Sequence, residues 1–121
     1  MLMYARDNGA GAGNLQQRLP VDSHVEAATE MLRMLADGTR LRLMWLLVDG
    51  EHDVTALVAA LGVARPAVSQ HLGKLRLAGL VAVRRDGRRA LYSARGGHVR
   101  RLVTEVMHAA SHRVAGIPEH D

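Results

Sequence analysis

The chain has 121 residues, 48% of them hydrophobic, with a formal charge of +4, no cysteine, no phenylalanine and a single tryptophan. That length suits one domain with a modest aliphatic core, which dimerisation would complete. The absence of cysteine excludes disulfides, thiolate metal sites, cysteine nucleophiles and thiol redox sensing. No apolar run approaches the ~18 residues of a membrane span and the start lacks an apolar signal core, so a cytoplasmic protein with no membrane partner is expected.

Residues 1–20 show no periodicity and hold Gly9, Gly11 and Gly13. They read as a flexible N-terminal arm, with order beginning at Pro20. The folded domain is expected over 21–113, with a C-terminal tail over 114–121. Asp22 or Ser23 caps a first helix to about Ala36, with Val25, Ala28, Leu32 and Leu35 on one face. Asp37-Gly38-Thr39 breaks it and caps a second, from Arg40 to about Val48. That helix is apolar nearly all round (Leu41, Leu43, Met44, Trp45, Leu47, Val48), which marks it as the core. Asp53 caps a third short helix, Val54 to Leu61, closed by Gly62.

From Ala64 to Leu80 the chain reads as a turn, a helix of about four turns with Pro66 in its first turn, and the start of a strand. Val68, Leu72, Leu75 and Gly79 share one face by helical phase. Ser69, Gln70, Gly73 and Pro66 lie opposite, flanked by Lys74 and Arg76; Leu77 also falls on that outer side. An apolar floor under small or hydrogen-bonding residues suits a DNA major groove. Gly73 costs roughly 1 kcal/mol against Ala in mid-helix, which close approach of a phosphate backbone would explain. Two short helices joined by a turn containing Gly form a helix-turn-helix. Residues 80–84 and 89–93 then alternate around Asp86-Gly87, a hairpin signal. This is the wing of a winged helix, and its tip carries Arg84, Arg85, Arg88 and Arg89, suited to phosphate or minor-groove contact. Between Arg65 and Arg101 there are ten basic residues and one acid; the remainder holds six basic and eleven acidic. Such segregation is the footprint of a polyanion partner, here double-stranded DNA.

After Gly96-Gly97 a last helix is expected from about His98 to Arg113. Val99, Leu102, Val103, Val106 and Ala110 form its apolar stripe, to dock on the first helix, on a second subunit, or on both. His98, Glu105, His108 and His112 share another stripe. His108 and His112 at i,i+4, with Glu105 one turn earlier, have the spacing to share a metal. His98 lies about 21 Å from His112 along the axis, so it joins them only from the antiparallel helix of a second subunit. A metal there would bridge a homodimer and alter the angle between its two recognition helices.

These stretches together resemble the ArsR/SmtB family of dimeric winged-helix metal-responsive repressors, over roughly residues 22–112. The marks are the run Met34 to Leu41, Val68-Ser69-Gln70-His71-Leu72, the run Leu75 to Val81, and Arg85-Asp86-Gly87-Arg88 leading to Tyr92. The resemblance implies a mainly α winged helix-turn-helix with one β-hairpin, in the order of three helices, recognition helix, two strands and a final helix, as a homodimer. It places the groove-reading positions on Arg65, Pro66, Ser69 and Gln70. The early third-helix positions that are cysteines in thiolate-sensing members are Asp53 and Thr55 here. Of the usual last-helix zinc pattern only His98 and His112 match, with Gly96 and Ala109 at the other positions. The tail Gly116-Ile117-Pro118 followed by His120 is similar to that of nickel- and cobalt-sensing actinobacterial members. By that resemblance the ligands would be His98, His112, His120 and Asp121; Ser111 stands where those relatives carry a Glu, and Glu105 or His108 would complete the set. Five or six N/O donors favour Ni(II) or Co(II) as effector over Zn(II), which stands second. The implied function is repression by a dimer on an inverted-repeat operator, relieved by metal. A winged-helix regulator answering to a protein partner or a small molecule is the alternative. A zinc hydrolase is not expected, because Ala109 follows His108 where that chemistry needs a Glu.

Overall fold

The computed structural model describes residues 11–116, which form six helices and one hairpin. The stretch expected as a flexible arm contains a helix, α1 (Gly11–Gln17). Leu15 and Leu19 stay more than half exposed. No apolar stripe predicts a helix so short and so little buried.

Helix α2 spans Asp22–Leu35, and its cap is not the expected one. Val21 is the N-cap, without a side-chain bond, and Asp22 sits in the first turn. There its carboxylate still faces the positive end of the helix. Only Leu35 is buried, while Met31 and Met34 lean on the core. Helix α3 (Gly38–Val48) is the centre of the molecule, as its all-round apolarity predicts. The Asp37 carboxylate accepts from the Arg40 backbone N–H at 3.0 Å to start it. Leu43, Met44 and Leu47 are fully buried, and α2, the following helices and the second strand all pack on it.

Helix α4 (Val54–Leu61) opens under the Asp53 carboxylate, which accepts from the Ala56 N–H at 2.9 Å, and closes on Gly62 with φ +67°. Helix α5 (Arg65–Leu77) lays Val68, Leu72 and Leu75 on the core. Gly79 is not on that buried face. It lies beyond the helix at φ +79°, where the Leu80 N–H donates to the Leu75 carbonyl at 2.9 Å. The helix has to end there because Leu80 and Val81 turn back into the core, both fully buried.

Strands β1 (Val81–Asp86) and β2 (Arg89–Ala94) pair antiparallel, with Asp86 opposite Arg89, so Gly87-Arg88 is a two-residue loop. Gly87 has φ +64° and Arg88 does not share it, as a type II′ turn requires. The segment between α3 and α4 adds a short third rung: His52 and Tyr92 exchange both backbone hydrogen bonds, at 3.0 and 2.9 Å.

Helix α6 runs Gly96–Ala115, two residues longer at each end than its sequence pattern suggests. Its stripe divides. Val99 and Val103 are buried and Leu102 is partly so, whereas Val106 is 40% exposed and Ala110 is exposed. The docked half packs on α3 rather than on α2. Arg100 pins it by donating to the Val48 carbonyl at 3.1 Å and the Ala94 carbonyl at 3.2 Å.

Candidate nucleic-acid interface and histidine face

Helix α5 presents the predicted surface. Its floor is fully buried, and Arg65, Pro66, Ser69, Gln70, Gly73 and Lys74 are exposed. A Cβ added at Gly73 would meet nothing within 4 Å, so its own protomer does not require a glycine there. Arg65 donates to the Thr55 hydroxyl at 2.8 Å, which ties the start of α5 to α4. His71, half-buried at the flank, has Nδ1 3.4 Å from an Arg40 guanidinium nitrogen. The same guanidinium donates to the Met34 carbonyl at 2.6 Å, so one arginine joins the ends of α2 and α3 to the recognition helix.

The four wing arginines do not have equal surroundings. Arg84 makes a two-pronged pair with Glu51, at 2.6 and 2.8 Å. Arg89 pairs with Asp53 at 3.2 Å. Arg85 donates only to the Arg88 carbonyl, at 3.5 Å, and neither Arg85 nor Arg88 has an acidic partner among the described residues. The Arg84 hydrogen bond holds the Glu51 carboxyl below its ordinary range and raises Arg84 in turn. Asp53 is lowered too, first by the Ala56 N–H it caps and then by Arg89 and Arg65. Glu51 and Asp53 are invisible in the sequence as wing partners, because no local pattern joins them to arginines more than thirty residues away. A cleft of about 230 Å³ separates the wing from the helix-turn-helix, and Thr55, Arg65, Arg88 and Arg89 surround Asp53 in it.

On α6 the histidines stand apart within one protomer. His98 Nδ1 lies 3.1 Å from an Arg101 guanidinium nitrogen. His108 meets Trp45 of α3 edge-on, with ring centroids 6.5 Å apart at 71°. Helical phase sets His108 opposite the apolar stripe, but the long indole reaches it. His112 is exposed near the helix end, and Glu105 borders a shallow cleft with Arg100, Arg101 and Thr104. His120 and Asp121 lie outside the described residues. Among the described residues no three His, Asp or Glu side chains converge as a metal site. A second, apolar cleft of about 390 Å³ opens between α3, α4 and α6, lined by Leu41, Trp45, Leu46, Leu61 and Met107. No helix among the described residues is long and apolar enough to cross a membrane.

Known proteins share this architecture and resemble this chain in sequence. Residues 37–83, from the cap of α3 into β1, match the family described as bacterial regulatory protein, arsR family. The chain is 46% identical over 99 residues to the HTH-type transcriptional regulator KmtR of Mycobacterium tuberculosis, covering 82% of this chain and 76% of that protein. It is 34% identical over 108 residues to the regulator NmtR of the same organism, covering 88% and 90%. A homodimeric winged helix-turn-helix DNA-binding domain from Mycobacterium bovis, a possible ArsR-family regulator, superposes with a TM-score of 0.73 at 29% identity, covering 93% of this chain and 99% of that one. With its recognition helix, wing and relatives in agreement, this chain belongs to the arsR family of bacterial regulatory proteins, a winged helix-turn-helix transcriptional regulator.

Proposed function

We propose that two copies of this chain form a metal-responsive repressor, which binds an inverted-repeat operator and is released by Ni(II) or Co(II), with Zn(II) second. The observation that carries the reading is the divided α6. Its first half is seated in its own protomer, while its second half leaves Val106, Ala110, His108 and His112 at the surface. Val25 and Leu32 of α2 are similarly bare, at 46% and 53% exposure. Apolar faces of that kind suit a two-fold partner, and a two-fold dimer suits a palindromic site.

The histidines fit a metal held between chains better than one held within a chain. His98 and His112 share a helix face but lie about 21 Å apart along the axis. An antiparallel neighbour brings His98 of one chain beside His112 of the other, with Glu105 and His108 on the same stripe and His120 and Asp121 as the tail's donors. Imidazole and carboxylate donors suit Ni(II), Co(II) and Zn(II), and bound metal would supply charge and a bridge between the two α6 helices. Arg100 then links that helix to the end of α3 and the base of the wing.

A gel shift with and without each metal tests the reading. Saturating Ni(II) or Co(II) should release the operator, and unchanged affinity under all three metals would sink it. His112→Ala should abolish release while leaving metal-free binding intact; equal loss of metal-free binding would make His112 structural. Trp45 is the only tryptophan, so its fluorescence independently reports events at His108. The apolar cleft beside Trp45 favours a second reading, in which a small apolar molecule is the effector. That reading gains if metals neither quench Trp45 nor change DNA affinity.

A further inference from the structure

The wing packs four arginines into six residues, and the hairpin's own geometry sorts them. Directly opposed residues of an antiparallel pair point to the same face, and faces alternate along each strand. Arg84 stands opposite Leu91, and Asp86 opposite Arg89, so Arg84, Arg89 and Leu91 share a face. Val81, Tyr92 and Ala94, which pack on the core at the base of the hairpin, belong to the opposite face, so Arg84 and Arg89 are set apart by the acids they meet and not by burial. Arg85, opposite Ala90, points to the other face, and Arg88 is in the turn.

Three consecutive residues between α3 and α4 meet the edge of the hairpin and its Arg84 and Arg89 side chains. Glu51 takes the fork of Arg84. His52 exchanges two backbone bonds with Tyr92. Asp53 takes Arg89 with one carboxylate oxygen while its other oxygen caps α4. The segment Glu51-His52-Asp53 is therefore a clip that holds the wing against the helix-turn-helix.

We infer that the wing arginines divide into two pairs with different roles. Arg84 and Arg89 are positioning residues that fix the wing through this clip, and Arg85 and Arg88 carry its contacts to duplex-DNA phosphates. The inference rests on the DNA-binding reading of this fold and refines it. A guanidinium paired with a carboxylate has donors engaged, two in Arg84 and one in Arg89, and forms a pair of zero net charge. It releases no condensed counterion when the wing meets DNA, whereas Arg85 and Arg88 arrive unpaired with acid and do.

The test uses the full chain and a labelled duplex selected from a random pool with the wild-type protein, titrated across salt. Arg85→Ala and Arg88→Ala should each make the log–log salt dependence shallower by about 0.9. Arg84→Ala should weaken binding with the slope unchanged. The charge swap Glu51→Arg with Arg84→Glu should restore affinity, because the strut is rebuilt while no arginine returns to position 84. Circular dichroism melting of each variant separates lost folding from lost contact, and the swap supplies a folded control. The inference is overturned if Arg84→Ala makes the slope shallower by the same amount, if it binds like wild type, or if the swap binds no better than the single variant. Unchanged slopes for both Arg85→Ala and Arg88→Ala would remove the wing from the DNA and overturn it as well, while leaving the role of α5 standing. Metal plays no part in these measurements, so their outcome is separate from that of the sensing proposal.

Discussion

Gly73 sits in mid-helix, exposed, with open space where a Cβ would go. Helix propensity alone argues for alanine there, by about 1 kcal/mol. Gly73→Ala should therefore raise the melting temperature and, if a phosphate backbone approaches at that point, lower DNA affinity. Opposite signs in a melt and a gel shift mark a functional glycine; a stabilised variant with full DNA affinity would deny the close approach. The acids that start α3 and α4 carry a pH dependence. Asp37 is held below the ordinary carboxylate value first by the Arg40 N–H, and Asp53 by the Ala56 N–H. A folded-state value below the unfolded one means stability that is fully present at neutral pH. It is lost as pH falls through the lowered value, below about pH 4. Acid titration followed by circular dichroism should show that loss, with a smaller acid-side decline in Asp53→Asn. Asparagine keeps the cap without the charge, so Asp53→Asn should melt nearer to wild type at pH 7 than Asp53→Ala, which should fall by about 4 °C.

At the scale of elements, α3, α4 and the hairpin are legible in the sequence because each is bounded by local chemistry, while α2 is legible by its periodicity and not by its cap. The caps Asp37 and Asp53, the closing Gly62 and the Gly87 turn all act within four residues of themselves. Gly79 misleads for the same reason. Helical phase continues smoothly through position 79, and only the burial of Leu80 beyond it shows that the helix must stop. At φ +79° a side chain is strained, so Gly79→Ala should destabilise the fold by about 1 kcal/mol and misdirect the entry to β1. A melt checks this, since Gly73→Ala, six residues earlier, should shift the other way. Helix α6 shows the limit of periodicity: one stripe of constant character is half core and half surface. The stripe outlasts α3, the element it packs on, and the length of a partner is not written in the pattern of the helix itself.

Across the whole molecule, Arg65 of α5 and Arg88 and Arg89 of the wing line one cleft, Arg100 and Arg101 fall on α6, and bare apolar residues include Val25 and Leu32 of α2 and Val106 and Val114 of α6. Leu32 is 53% exposed, so Leu32→Glu should leave the protomer folded. It should convert a dimer to monomers and weaken operator binding, as seen by sedimentation and gel shift. A Leu32→Glu chain that still sediments as a dimer would move the interface away from α2. The helices from α2 to α6, the caps at Asp37, Asp53 and Gly62, the wing and the family are legible in the residues alone, because hydrogen bonds and amphipathic faces act over one to four residues; α1 and the start of α2 at Val21 are not. Packing in three dimensions is what sets Glu51 and Asp53 against two of the four wing arginines, Trp45 against His108, and Arg100 on the end of α3. Those contacts join residues more than thirty positions apart in the chain. Such distances follow from how the elements pack, which no local period encodes.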